Sequence, residues 1–371
     1  MLAPTKTVTG VPADRRTPFE RWVEDDLRLD LHRGYALGPL GKLPLKRWDA
    51  RGIRAAFLDL IGCESLAGMF IGEIAPGGAT EPARQLYDET IYVVSGRGST
   101  TVEIGGEKAS FEWGPGSLFA IPLNCMYRLL NGSGTEPARF FSCNTLPIVY
   151  NLFRNTDFIF GTGFDFKRVL SEKAALEAVL YRPDSTHEHT AVDLYDALFV
   201  PDILAVPRSV FKERGEGVSC VYFEQAGSVI SSHVAEIPGC RFFNPHRHGP
   251  SAFVFTLGGP GYSLMWREDG AKVERFDWPE DDIGVIVPPN MWWHGHFATG
   301  PNVLTLAVKL RSRFVPINHL YDKTHKRVTE GGTVRRYADL EEGLRDWIWS
   351  TFVTECAKHG NAPAAPEMAE A

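Results

Sequence analysis

The sequence predicts an all-β fold that consists of two tandem β-barrels with short flanking helices. From residue 53 onward, short segments rich in β-branched and aromatic residues alternate with Gly, Pro and Asn, a spacing typical of sandwiches and barrels. These segments also repeat at an offset of about 162 residues or slightly more, and two copies of one barrel explain the repeat. The repeated motifs lie at residues 75–78, 94–96 and 121–127 and again at 237–240, 257–259 and 287–293.

The composition is that of a globular protein and excludes several classes of function. Hydrophobic residues make up 44% and aromatic residues 12% of the 371 residues, enough for about two domains. The net charge of -7 includes no basic block, so we expect no nucleic-acid partner. The sequence has no Cys-x-x-Cys pair, no signal peptide and no long apolar run, so we expect a cytoplasmic protein with reduced thiols and no membrane segment.

Taken in order, the chain begins with an arm and a first barrel. Residues 1–50 are irregular except for a predicted short helix at 18–27, and arms of this kind commonly wrap a partner subunit. Residues 51–150 form the first predicted barrel, and residues 151–209 form a connector with a predicted helix at 171–180. The predicted strands of the first barrel lie at 53–60, 68–75, 90–95, 99–104 and 117–121.

The second predicted barrel occupies residues 210–315, and a helical extension with a tail follows at 316–371. Apolar residues recur at helical spacing over 339–356, with Asp339 and Glu342 as a cap and its N3 partner. We expect this helix to pack on the barrel or across a dimer, and we expect a homodimer or homotetramer. Residues 362–371 are predicted to be disordered.

The second barrel carries a group of histidines suited to metal binding. His246 and His248 are two residues apart in a predicted strand, so both imidazoles leave the same face. His294 follows about 46 residues later, beyond a hairpin and a Pro-Pro turn, and a barrel would bring it to the same axis. Three neutral imidazoles suit a divalent transition metal and leave coordination positions open. The alternative is three unrelated histidines without a shared partner.

Strand parity adds further candidates. His296 shares the face of His294, and its candidate catalytic roles are general base, proton donor or fourth ligand, beside an ordinary hydrogen bond to a carbonyl. Asn244 and Trp292 share the parity of the histidines and are candidates for substrate binding. Arg241 is the nearest cation for a substrate carboxylate, although its parity opposes the histidines unless a bulge intervenes.

These motifs resemble the cupin superfamily, in particular two-barrel cupins (bicupins) of the gentisate and salicylate 1,2-dioxygenase type. The resemblance implies two tandem double-stranded β-helix (cupin) barrels. It also implies that His246, His248 and His294 bind Fe(II), although Mn, Ni, Cu or Zn would suit the same ligands. The matching elements are Pro238-Gly239, His246-x-His248, Gly258-Gly259, Gly284, Pro289 and Trp293-His294-Gly-His296.

Two departures from the cupin pattern bear on function. Many cupins carry a glutamate shortly after the paired histidines, but residues 249–253 contain none. Three neutral histidines leave about two units of positive charge on a divalent metal, so we expect a small anionic chelating substrate such as an aromatic hydroxy acid. In the first barrel, Arg84, Gln85 and Leu86 stand where the histidine pair is expected and Arg128 where the third histidine is expected, although Glu89 is retained. We therefore expect a scaffold barrel that has lost its metal ligands.

The resemblance implies a non-haem Fe(II) dioxygenase that cleaves the ring of a hydroxylated aromatic acid, or a related carbon–carbon bond, with dioxygen as second substrate. Two alternatives stay open. An isomerase, hydrolase or lyase would use the same metal as a Lewis acid without oxygen. A non-catalytic bicupin would use the centre only to bind a small molecule.

Overall fold

A computed structural model describes residues 15–104, 107–164, 166, 179–181, 192–225, 227–268, 272–312 and 326–363. Among these residues, none of the helices has the length and apolar character that crossing a bilayer requires. The helices are α1 (Pro18–Arg21), α2 (Leu146–Phe153), α3 (Thr156–Gly161) and α4 (Glu342–Lys358). A π-helical turn, Trp22–Asp26, continues α1.

Short strands account for most of the remaining regular structure. Those of the first 200 residues are β1 (Leu31–Gly34), β2 (Ala36–Leu37), β3 (Lys46–Trp48), β4 (Ile53–Leu60), β5 (Gly68–Ile74), β6 (Glu89–Ser95), β7 (Gly98–Ile104), β8 (Glu107–Trp113), β9 (Leu118–Ile121), β10 (Met126–Asn131), β11 (Ala138–Asn144), β12 (Val179–Tyr181), β13 (Leu194–Asp196) and β14 (Phe199–Val200). The later strands are β15 (Ser209–Val210), β16 (Ser219–Glu224), β17 (Ile230–Ile237), β18 (Arg241–Phe242), β19 (Ala252–Thr256), β20 (Gly261–Trp266), β21 (Val273–Asp277), β22 (Gly284–Ile286), β23 (Trp293–Ala298) and β24 (Val303–Leu310).

The two halves of the chain fold into barrels of the same topology. The larger sheet of the first barrel has the central order β4-β5-β11-β6-β9, and the larger sheet of the second has β16-β17-β24-β19-β22. The smaller sheets, β10-β7-β8 and β18-β23-β20-β21, also correspond. The predicted fold class, two tandem double-stranded β-helix barrels with short flanking helices, is confirmed.

The observed strand boundaries show which strands the sequence pattern predicts correctly. The predicted segments coincide with β4, β5, β6, β7 and β9, whereas β8, β10 and β11 were not predicted. Strand β8 has the sequence EKASFEW, whose polar residues give little apolar signal at an exposed sheet edge. Most of the helix predicted at 171–180 lies outside the described residues, and its last two positions belong to strand β12.

The C-terminal helix begins later than predicted and packs on the second barrel. Asp339 lies in a 3-10 turn and pairs with Arg336, while α4 begins at Glu342 without a side-chain cap. Ile348 and Phe352 are buried against the outer face of the smaller sheet. Trp347, which the helical pattern placed in the buried stripe, is instead 44% exposed.

The two barrels share one apolar core between their larger sheets. Alternate residues of each central strand point to opposite sides, so Tyr92 and Phe255 enter the shared core while Ile91 and Val254 enter the barrel interiors. Phe141 of β11 stacks on Phe255 of β19 with ring centroids 5.2 Å apart and an interplanar angle of 13°. This stack joins the halves at the centre of the interface.

The N-terminal arm lies on its own chain. Phe19 and Trp22 are buried in the core of the first barrel. Further along, β2 pairs in antiparallel register with β22, so the arm extends the larger sheet of the second barrel. The arm thus contributes to both barrels.

We predict that Phe255→Ala lowers the free energy of unfolding of the whole chain by about 3–5 kcal/mol, since it removes a fully buried ring and leaves a cavity. Urea unfolding followed by fluorescence measures this. Phe153→Ala is the matched control, because that ring is 51% exposed; its effect should stay within about 0.5 kcal/mol. Unfolding of the Phe255→Ala protein at the unchanged midpoint would contradict a shared core.

Candidate metal centre

The backbone brings His246 beside His294 through a single pair of hydrogen bonds. The N–H of each residue donates to the carbonyl of the other at 2.9 Å. His246 lies in an isolated bridge and not in the predicted strand. Pro245 and Pro250 flank the histidine pair, and proline has no N–H to donate to a ladder, so regular pairing does not extend along this segment. His294 lies on β23.

The three predicted ligands converge. The ring centroid of His294 lies 4.2 Å from that of His246 and 4.6 Å from that of His248. One nitrogen from each ring lies within 4.8 Å of the other two. All three side chains are buried, with exposed fractions of 6%, 6% and 0% for His246, His248 and His294.

Main-chain carbonyls define the tautomer of each ring. A carbonyl only accepts hydrogen bonds, so each Nδ1 carries the proton and each Nε2 keeps a lone pair. The Nε2 of His294 is buried and has no hydrogen-bond partner. This arrangement fits a divalent transition metal, which needs neutral imidazoles held by a hydrogen bond at the other ring nitrogen. The acceptors for His246, His248 and His294 are the carbonyls of Asn244, Gly249 and Trp292, at 3.0, 2.8 and 3.0 Å respectively.

The electrostatic environment keeps these rings neutral. Burial lowers the pKa of His246, His248 and His294 well below the usual 6.5, and neighbouring positive charges add to this effect. At neutral pH the trio therefore binds a cation without first releasing protons.

His296 lies beside the trio and is held differently. Its Nδ1 is 2.8 Å from the hydroxyl of Ser263, which accepts a hydrogen bond at 2.9 Å from the indole N–H of Trp278. Because indole only donates, the Ser263 proton is available for Nδ1, and this favours protonation of His296 at Nε2. Its ring centroid lies 5.7 Å from that of His294, and burial lowers its pKa to about 3. His296 is thus a neutral hydrogen-bond donor beside three histidine rings whose Nε2 atoms keep a lone pair.

The other predicted site residues have different partners. The Asn244 amide donates to the carbonyl of Glu213 at 3.1 Å, and the Arg241 guanidinium lies 3.3 Å from the carboxylate of Glu216. Asn244 thus contributes its main-chain carbonyl to the site, and Arg241 points elsewhere. Trp292 is half-buried and packs against the interior cluster of the barrel, with its ring 5.7 Å from that of Tyr35 in the arm.

The structure adds basic side chains that sequence reasoning missed. Lys309 on β24 and Arg214 before β16 are buried, with exposed fractions of 5% and 4%. Lys309 pairs opposite Ala252, four residues after His248, and the carbonyl of Arg214 accepts a hydrogen bond from the N–H of Asn244, so both residues lie near the centre. Neither residue belongs to a motif, and only the strand register reveals that Lys309 faces the interior.

In the first barrel the structure defines which residues correspond to the three histidines. Ala83 and Tyr127 exchange two main-chain hydrogen bonds of 3.0 Å, as His246 and His294 do in the second barrel. Gln85, which lies within the predicted stretch 84–86, then matches His248. The assignment of the third position to Arg128 was wrong, because Tyr127 occupies it and a slip of one residue moves a side chain to the other face of a strand. Arg128 is accordingly exposed.

The first barrel fills this space with a polar network. Glu89 accepts hydrogen bonds from Gln85 at 2.6 Å and Tyr127 at 3.0 Å, and also from the hydroxyl of Ser142. The buried guanidinium of Arg51 donates to the hydroxyl of Tyr127. Within the described residues, His246, His248 and His294 are the one group of three side chains with metal-ligand geometry.

Two tandem cupin barrels, the second with a three-histidine centre, define a chain of the bicupin fold. No protein-family model matches it, and no curated protein does. Solved structures of oxalate decarboxylase are similar. A multiple-substitution mutant from Bacillus subtilis is 12% identical, with a TM-score of 0.51 over 84% of this chain and 86% of that one. A second oxalate decarboxylase structure is 11% identical, with a TM-score of 0.50 over 85% and 84%. At these identities the similarity establishes the fold.

We predict that the purified protein binds one divalent metal ion per chain. His294→Ala should lower the metal affinity by more than about 100-fold, because loss of a ligand costs more than loss of a residue that only hydrogen-bonds to a ligand. Elemental analysis after dialysis measures this. His359→Ala, at an exposed histidine, is the matched control and should keep the metal. Full metal content in the His294→Ala protein would contradict the assignment.

We predict that the metal-free protein loses stability as the pH falls below about 6.5, the usual pKa of histidine. The buried histidines have lowered pKa values in the folded state, so the unfolded state binds more protons in this range. Each histidine contributes up to about 1.4 kcal/mol per pH unit. Urea unfolding at pH values between 7.5 and 5 measures how the free energy of unfolding changes with pH. His296→Asn should lower this slope by up to about 1.4 kcal/mol per pH unit, the contribution of one bound proton. A flat profile would refute the neutral cluster.

Proposed function

We propose that the chain is a metal-dependent enzyme that cleaves a carbon–carbon bond of a small anionic substrate without consuming dioxygen. The observation that carries this proposal is the set of three buried, neutral imidazoles whose Nε2 atoms converge inside a barrel. Similarity to oxalate decarboxylase supports it, because that enzyme, by its name, removes a carboxylate from a small anion.

The three histidines would hold Mn(II) or Fe(II), and other divalent metals suit the same ligands. When bound, the metal would act as a Lewis acid that polarises a chelated oxygen of the substrate. His246, His248 and His294 leave the remaining coordination positions to the substrate. Burial of the site excludes bulk water, so the fixed charges around it act more strongly than they would in solvent.

His296 is proposed as the residue that stabilises developing negative charge on the substrate. Its Nε2–H has its direction set by the Ser263 hydroxyl, which is itself held by Trp278. A donor oriented in this way costs no reorganisation when charge develops. A pKa of about 3 makes protonation of His296 at neutral pH negligible, so the residue donates a hydrogen bond and does not supply a proton as imidazolium.

A dioxygenase is the second candidate. Among the described residues no carboxylate joins the three histidines, in keeping with the dioxygenase resemblance and with a strongly positive metal. In that case Fe(II) held by the three histidines would supply the redox chemistry, with a hydroxylated aromatic acid and dioxygen as substrates. A binding protein without turnover is the third candidate.

We predict that protein purified without oxygen and loaded with Mn(II) or Fe(II) converts a chelating carboxylic acid from a panel of oxalate, keto acids, salicylates and gentisate, with β-diketones included as chelators that lack a carboxylate. The expected result is substrate loss with release of carbon dioxide and no net oxygen uptake. Oxygen consumed in equal amount to substrate would establish the dioxygenase instead. Ligand binding without turnover across the panel would establish the binding protein.

We also predict that His296→Gln lowers kcat by about 100- to 1000-fold, the range seen when one charge-stabilising donor is removed. Metal content should not change, because His296 is not one of the converging ligands. Steady-state kinetics on the substrate found above, with elemental analysis of the same sample, measure both. Loss of metal in this variant would show that His296 is a fourth ligand.

A further inference from the structure

The two barrels differ at one pair of facing interior positions. The first barrel retains Glu89, which lies opposite Asn144 on the neighbouring strand. The matching pair in the second barrel is Ala252 opposite Lys309. Ala252 follows His248 by the same four residues that separate Glu89 from Gln85. Where the first barrel has the Glu89 carboxylate, the second barrel therefore has a methyl group, with Lys309 directly across from it.

Lys309 faces the interior of the second barrel. It lies two residues after Ala307, which packs inside that barrel, while Val308 and Leu310 enter the core between the barrels. Its side chain is buried and forms no ion pair with the described residues. Burial, with the charges of Arg311 and Arg214, lowers the pKa of Lys309 well below its usual 10.5, so its ammonium form is costly until an anion lies beside it.

Arg214 is a second buried basic side chain near the centre. The Nη1 atom of Arg214 is buried and has no hydrogen-bond partner, and its guanidinium stacks on Phe211 at 5.7 Å. The carbonyl of Arg214 accepts a hydrogen bond of 2.6 Å from the N–H of Asn244. Arg214 is thus tied to the segment that carries the paired histidines. The Nδ1 of His233, opposite Ala307, is also buried without a partner.

We infer that a carboxylate of the substrate lies beside Ala252, at the position that the Glu89 carboxylate has in the first barrel, and pairs with the ammonium of Lys309. This inference rests on the proposed function, since it names the substrate class of that same site. The substrate is a small acid with a second oxygen donor close to the carboxylate, so that it chelates the metal and neutralises Lys309 together. A chelator without a carboxylate, such as a catechol, would leave Lys309 unpaired.

The test compares two chelators on the Mn(II)-loaded protein by calorimetric titration without oxygen. Oxalate carries carboxylates, and 4-nitrocatechol chelates without one. Lys309→Met should weaken oxalate binding by at least about 30-fold, the cost of removing one partner of a buried charge pair, and should change 4-nitrocatechol binding by less than about 3-fold. Lys212→Met is the control for loss of a positive charge at an exposed lysine, and it should change neither.

A second variant keeps the inference testable if the first destabilises the fold. Ala252→Glu places a carboxylate at the position proposed for the substrate carboxylate, where it would pair with Lys309. This variant should retain Mn(II) and bind oxalate at least about 10-fold more weakly. Oxalate affinity within about 3-fold of wild type in both metal-loaded variants would overturn the inference, as would an equal loss of both chelators in Lys309→Met. Wild-type protein that binds no metal would instead contradict the proposed function itself.

Discussion

The site depends on where three ring protons are held. Each Nδ1–H of His246, His248 and His294 is bound by a main-chain carbonyl, and the opposite nitrogen is left with a lone pair inside the barrel. Backbone carbonyls cannot donate, so the tautomer is determined by the fold and not by solvent. The bridge between the first and third histidines, and the turn that supplies the Trp292 carbonyl, both serve this alignment.

The duplicated barrels have diverged mainly in charge. In the first, Glu89 is surrounded by hydrogen-bond donors, and the buried Arg51 supplies positive charge from the protein itself. In the second, neutral imidazoles lie near the buried basic side chains of Lys309 and Arg214. In the first barrel the Glu89 carboxylate is held by protein donors, whereas in the second the Nε2 of His294 and the Nδ1 of His233 are buried without a partner.

The sequence predicted the barrels and the three converging histidines because both depend on short-range signals: strand-length apolar runs, turn residues and a His-x-His motif. It did not predict Lys309, because an isolated lysine in an apolar strand carries no motif, and its orientation follows only from pairing with Ala252. The third ligand position of the first barrel was predicted one residue too late for a related reason. Turn motifs align the repeats to within one residue, and one residue reverses the face of a strand, as Arg128 and Tyr127 show.

The strand β2 makes the second barrel dependent on residues encoded more than two hundred positions earlier. Tyr35, just before β2, lies against Trp292, whose carbonyl orients the last ligand. The second barrel is consequently not an independent folding unit: separated at the connector, it would expose the edge of β22 and lose the Tyr35 ring that packs against Trp292. During synthesis, the centre is complete only after the C-terminal half emerges and pairs with a strand synthesised more than two hundred residues earlier.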